Sequence, residues 1–167
     1  MSTLRSYVCG EWRSGDPSSN AVLENPSTGD AIAQASTKGL DLKAALAYAR
    51  DVGGPALRKM TFKERGALVK QMSAVLHEAR EALIDVSIEN AGATRGDAKF
   101  DVDGGIGTLA YYARLGETLG DRTFIVEGPG ETLTRSPRFA GYHVRTPRTG
   151  AAVHVNAFNF PVWGMCE

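Results

Sequence analysis

Long apolar runs are missing from this chain. No stretch approaches the roughly 20 consecutive apolar residues that a bilayer-spanning helix needs, which argues against a membrane protein of that kind. Cysteine is scarce: two in 167 residues. Cys9 and Cys166 lie at opposite ends and form no metal-type spacing, so a reducing, cytoplasmic location is the default reading. The three histidines, His77, His143 and His154, are scattered and give no metal-ligand pattern. There is no excess of charge either. Nineteen Lys and Arg balance nineteen Asp and Glu, so nothing suggests an electrostatic search for nucleic acid or an anionic membrane. The opening MSTLRSYVCGEW has no apolar segment of the secretory type.

What is present is a chain that can bury a core. Hydrophobic residues make up 43% of it, and the length suits one domain. Tyr7–Trp12 reads as a short strand with Gly10 as a turn or bulge. Val22–Pro26, Ser27–Asp30 and Ala31–Ala35 read as strand, turn, strand. Asp41 can cap a helix to about Arg50, with Gly53-Gly54-Pro55 ending it.

Thr61 and Glu64 form a capping box, in which hydroxyl and carboxylate each satisfy an orphan backbone donor. Leu68, Val69, Met72, Val75 and Leu76 follow at helical spacing and predict one apolar face. A second helix spans about Arg80–Ala91, with Gly92 where a left-handed cap belongs. Thr94 with Asp97 opens a third helix to about Leu115. Gly116–Gly150 is rich in Gly, Pro, Thr and Arg, with β-prone runs at Thr123–Val126 and Tyr142–Val144. It reads as a two-stranded arm that buries little by itself and lies on a neighbouring domain or subunit. Ala151–Val155 is short, apolar and β-branched, as a strand covered on both faces would be.

Four constellations could carry chemistry. Gly105-Ile106-Gly107-Thr108-Leu109-Ala110 spells G-x-G-x-x-A, a loose dinucleotide fingerprint. It lacks a buried strand before it, and Asp101 and Asp103 would repel a phosphate; the preferred reading is a close-packing step between helices. Cys166 has no visible base partner and reads as a small hydrophobe. His154, within the apolar strand, reads as a hydrogen-bonded core residue. Arg135, Arg138, Arg145 and Arg148 could grip an anion, but a solvated or subunit-facing arm is the commoner meaning. Asn159 differs from these. In NAFNFP it is a neutral amide at the C-terminal end of an apolar segment, between Phe158 and Phe160, with Pro161 at the exit. Strand ends are where open α/β sheets place ligands, and a carboxamide donates to an oxyanion without titrating. The residues alone leave structural and functional roles balanced.

These residues resemble the N-terminal third of an aldehyde dehydrogenase, over essentially the whole chain. SYVCGEW and ENPSTGDAIAQAS are similar to the family's N-terminal strands, and MTFKERGALVKQMSAVL to its first long helix. TPRTGAAVHVNAFNFPVWG resembles the P-x-G-V-x-x-x-x-P-W-N-F-P region, the most specific of the matches. Ala157-Phe158 replaces the common Pro-Trp. With Gly92–Arg95, Gly104–Leu109 and Asn156–Pro161, that spelling is similar to the branch oxidising semialdehydes of CoA thioesters in aerobic phenylacetate and benzoate breakdown.

The resemblance implies an α/β fold: the N-terminal part of an aldehyde-dehydrogenase-like fold, with an incomplete Rossmann-like NAD(P)-binding domain and a β-hairpin oligomerisation arm. Residues 1–120 would supply strands and helices of the cofactor-binding domain, 121–148 the arm of a homo-oligomer, and 149–167 the first strand and loop of the nucleotide-binding sheet. It implies thiolate attack on an aldehyde, hydride transfer to NADP or NAD, and hydrolysis of the resulting thioester to the acid. Asn159 would help hold the oxyanion, and Val155, Asn156, Ala157 and Phe158 would line the nicotinamide-ribose side. Asn156 and Ala157 depart from the usual pattern. The family's nucleophilic cysteine, its glutamate, its cofactor-binding lysine and its G-x-T-x-x-G loop lie downstream of these residues, and Cys166 does not match the nucleophile. The expectation is an enzyme fragment that is inert by itself, poorly soluble or molten, with an unpaired edge at 151–156. The alternatives are a non-catalytic product that joins full-length subunits through the arm, and a small thiol catalyst built on Cys166.

Overall fold

The computed structural model describes residues 2–167. Five short strands come first: β1 (Ser2–Thr3), β2 (Ser6–Val8), β3 (Glu11–Arg13), β4 (Ala21–Glu24) and β5 (Ala31–Ala35). Helices follow as α1 (Leu42–Tyr48), α2 (Gly54–Lys59), α3 (Phe62–Glu78), α4 (Arg80–Ala91) and α5 (Arg95–Leu119). The arm is β6 (Ile125–Thr132) and β7 (Ala140–Arg145), and α6 (Pro161–Cys166) closes the chain.

β5 lies between β1, parallel to it, and β4, antiparallel to it. β2 and β3 form a tight hairpin. Its two-residue turn, Cys9-Gly10, has φ of 53° and 86°, the double positive φ that matches strand twist. Gly10 is therefore the turn residue of a hairpin, and the Tyr7–Trp12 run is two strands.

The helix starts follow from local hydrogen bonding. The Glu64 N–H donates to Thr61 Oγ1 at 3.1 Å, and the Thr61 N–H to Glu64 Oε2 at 2.8 Å, completing the capping box. Gly92 ends α4 at φ 64°. Thr94 caps α5 through the Asp97 N–H at 3.2 Å.

The helix begun at Asp41 does not stop at Gly53-Gly54-Pro55. A five-residue π turn, Ala49–Gly53, joins α1 to α2. The Gly54 N–H donates to the carbonyl of Ala49, and the widened turn accommodates Pro55, whose ring would clash with a carbonyl four residues back in a regular helix. α5 also continues four residues past Leu115.

The core sits between α4 and α5: Ile84, Ala98, Val102 and Ile106, with Leu76, Leu83 and Val162 packed against them. α3 meets α5 through small residues. A Cβ on Gly116 would lie 2.6 Å from the Phe62 carbonyl oxygen and 2.9 Å from the Gly66 Cα, so the backbones nearly touch. Ser73, also buried there, donates its hydroxyl to the Ile106 carbonyl at 3.0 Å. Most of the apolar face read from the sequence of α3 consequently points outward. Leu68, Met72 and Val75 are exposed and line an open groove with Leu76 and Met165.

The substantial contacts of β6 and β7 are with each other. Arg145 pairs with Glu127 within the arm, and Arg135, Arg138 and Arg148 are exposed in this chain, which fits a solvated and a subunit-facing arm alike. Residues 151–157 form no strand. A strand exists only by pairing, and none of the described strands pairs with this segment. His154 is therefore exposed; there is no core at its position to hold it.

Candidate functional site

Asn159 stands at a cleft of about 260 Å³ lined also by Ala91, Ala93, Asp97, Phe100 and Phe160. Each wall has a local origin. The C-terminal end of α4 and the turn at Gly92 present Ala91 and Ala93. The first turn of α5 presents Asp97, which accepts a 2.7 Å bond from the Thr94 hydroxyl, and Phe100 one turn later. Phe160 meets Phe100 edge-on, with centroids 6.5 Å apart, and Trp163 tilts against Phe100 at 5.3 Å. An exposed carboxamide thus stands beside two aromatic rings and a fixed carboxylate.

The residues read as cofactor-facing are not gathered here. Val155, Asn156, Ala157 and Phe158 do not line this cleft. Val155 and Phe158 are 91% and 88% exposed, and Asn156 lies against Gly164 of α6.

The glycine hexamer lies in the middle of α5, so its amides are spent inside the helix and form no phosphate cradle. Its first glycine instead serves packing, with the glycine just before it. A Cβ on Gly104 would fall 2.3 Å from a Trp163 ring carbon, and one on Gly105 would lie 3.0 Å from Val162 Cγ1 and 3.3 Å from Cys166 Sγ. The two glycines let α6 lie directly on α5.

Cys166 is half-buried at this contact. Burial, and secondarily the negative charge of Asp101, push its thiol above the usual range. That is the reverse of what a nucleophilic thiolate requires and speaks against Cys166 as a thiol catalyst. Among the described residues no group of His, Cys, Asp and Glu could hold a metal ion, and no helix is long and apolar enough to cross a membrane.

Reading the sequence missed Asp101. Its carboxylate, 1% exposed, accepts the N–H of Val162 at 3.0 Å and of Trp163 at 2.8 Å. One signal was available: α6 begins Phe160-Pro161, with no Ser, Thr, Asp or Asn to cap it. Its amides therefore need a partner from elsewhere in the chain.

Solved structures share this fold. A NAD-dependent benzaldehyde dehydrogenase from Corynebacterium glutamicum superposes with a TM-score of 0.64 at 19% identity, over 80% of this chain and 27% of its own. A betaine aldehyde dehydrogenase from Staphylococcus aureus, in complex with NAD+, gives 0.63 at 25% identity, over 80% and 25%. Residues 12–167 match the aldehyde dehydrogenase family, and the chain belongs to that family. It is 43% identical over 164 residues to 3,4-dehydroadipyl-CoA semialdehyde dehydrogenase of Aromatoleum evansii, covering 98% of this chain and 32% of that protein. The chain thus spans about a third of the length of the curated relatives it matches.

Proposed function

We propose that this chain is part of an enzyme that oxidises an aldehyde, a semialdehyde carried on a CoA thioester, to the carboxylic acid with NAD or NADP. The 43% identity to the Aromatoleum evansii dehydrogenase over nearly the whole chain carries this reading. The geometry supports it through Asn159. The Asn159 amide N–H₂ donates to the carbonyl oxygen as negative charge develops there, and being neutral it does so without titrating. Phe100 and Phe160 stand beside it in the cleft, and the hydroxyl of Thr94 holds the Asp97 carboxylate in place at the rim.

Val155, Asn156, Ala157 and Phe158 would face the nicotinamide-ribose side. Val155 and Phe158 are uncovered in this chain and so free to meet a bound ring. NAD(P)+ supplies the hydride acceptor when bound. The division into cofactor-binding elements (1–120), arm (121–148) and the start of a nucleotide-binding sheet (149–167) belongs to the same proposal. So do a homo-oligomer formed through the arm, a cytoplasmic location and a place in aromatic-acid catabolism, of phenylacetate or benzoate.

By itself the chain is expected to be inert toward aldehydes. One observation favours a second reading for it, association with full-length dehydrogenase subunits: the arm packs on itself and leaves Leu133, Phe139, Tyr142 and Val144 exposed. The test of the main reading uses the complete polypeptide that contains this chain, assayed for NAD(P) reduction dependent on CoA-linked semialdehydes. Asn159→Ala is expected to lower turnover by about 10²–10³. Unchanged turnover in that variant would remove the oxyanion role, and no activity in the unaltered enzyme with any CoA-linked semialdehyde would remove the substrate class. Co-purification of the 167-residue chain with larger subunits would favour the second reading.

A further inference from the structure

The first turn of α6 has an unusual hydrogen-bond account. Phe160 at the cap position offers no side-chain acceptor, and its own N–H reaches the Ala157 carbonyl at 3.2 Å. Pro161 has no N–H. Two donors remain, those of Val162 and Trp163, and both go to the single carboxylate of Asp101, one to each oxygen, across 61 and 62 positions of sequence. Asp101 makes none of the ion pairs formed among the described residues. A carboxylate at 1% exposure without a cation is unfavourable unless hydrogen-bonded, and these two amides supply that compensation. The clamp is reinforced one turn along α5, where Gly104 and Gly105 seat Trp163, Val162 and Cys166.

Asn159 is three residues before the first clamped amide. The C-terminal side of Asn159 is therefore anchored through α6, and the first turn of α6 is held by Asp101. We propose that Asp101 is a positioning residue: its carboxylate, by holding the Val162 and Trp163 amides, fixes where the Asn159 carboxamide stands relative to the cleft. This inference rests on the proposed oxyanion role of Asn159. A carboxylate is required because each amide needs an acceptor. Asparagine at 101 would turn one acceptor into a donor facing an N–H.

The test uses the complete enzyme and four proteins: unaltered, Asp101→Asn, Asn159→Ala and the double variant. The readouts are the single-turnover rate of NAD(P)H formation at saturating aldehyde and the KM. Asp101→Asn is expected to slow turnover about 10- to 100-fold with KM changed less than about threefold, the size of effect that follows a displacement near 1 Å. In the Asn159→Ala background the same change is expected to cost less than about threefold, because it acts through the missing amide. A loss of equal size in both backgrounds would make Asp101 a purely structural residue and overturn the proposal, as would normal turnover in Asp101→Asn. Normal turnover in Asn159→Ala would instead remove the reading of Asn159, a distinguishable result. If Asp101→Asn does not fold, Asp101→Glu replaces it. Glutamate keeps both acceptors and the charge while displacing them by one methylene. It is expected to slow turnover about tenfold in the Asn159 background only, and normal turnover would overturn the proposal.

Discussion

Two stretches meet at Asn159, and they are held in opposite ways. On the C-terminal side, α6 lies on α5 with glycine against aromatic ring and every available amide of its first turn paired. On the N-terminal side, residues 151–157 join no sheet, and Val153 and Val155 are 84% and 91% exposed. Both stretches are apolar in composition. The difference is that a helix satisfies most of its backbone internally and needs only a face to rest on, whereas a strand satisfies nothing until a neighbour pairs with it. The same amino-acid character thus yields order in one place and an open ribbon in the other.

The contrast should be largest in backbone exchange. Amides of α5 between Val102 and Gly116 are expected to exchange at least about 100-fold more slowly than those of residues 151–156 in the 167-residue chain, which should exchange near the unprotected rate. Equal protection of the two stretches, measured by hydrogen exchange, would break the comparison.

Within α5 one substitution is expected to change sign with position. Gly116→Ala drives a methyl into backbone atoms of α3, and overpacking of about 1–3 kcal/mol exceeds the roughly 1 kcal/mol that alanine gains over glycine in a helix. Gly107→Ala meets nothing within 4 Å and should stabilise by up to about 1 kcal/mol. Urea midpoints followed by far-ultraviolet dichroism decide both, and shifts of the same sign would show that the α3–α5 approach yields more readily than the geometry implies. A purely local effect follows at the start of α3. Thr61→Ala should cost about 1 kcal/mol through loss of the capping hydroxyl, read in the same midpoints. The smallest expected effect is kinetic. Cys166, half-buried near Asp101, should react with thiol reagents half-maximally at a higher pH than an unburied thiol. A midpoint at or below that of free cysteine would contradict its place in the seam.

Much of this was legible from residue order. The capping box at Thr61, the left-handed end at Gly92 and the Thr94 cap each depend on partners within four positions, and all formed as read. The hexamer at 105–110 was also read correctly as no phosphate cradle, which needs a strand before it, and its packing role holds for Gly105 but not for Gly107, which has open space. Gly53-Gly54-Pro55 misled, since one extra residue in a π turn absorbs the proline without breaking the helix. The apolar stripe of α3 misled because the glycines at 66 and 116 let the backbones approach on the other face.

The sequence by itself determined the family and the caps at Thr61, Gly92 and Thr94, because those rest on motifs and on partners a few positions away. Tertiary structure alone decided which face of α3 turns inward, that Asp101 rather than a neighbouring side chain caps α6, and that residues 151–157 form no strand among these residues. Each of those depends on a partner tens of positions away or on a strand to pair with, and only the folded chain decides which distant groups are brought within hydrogen-bond reach.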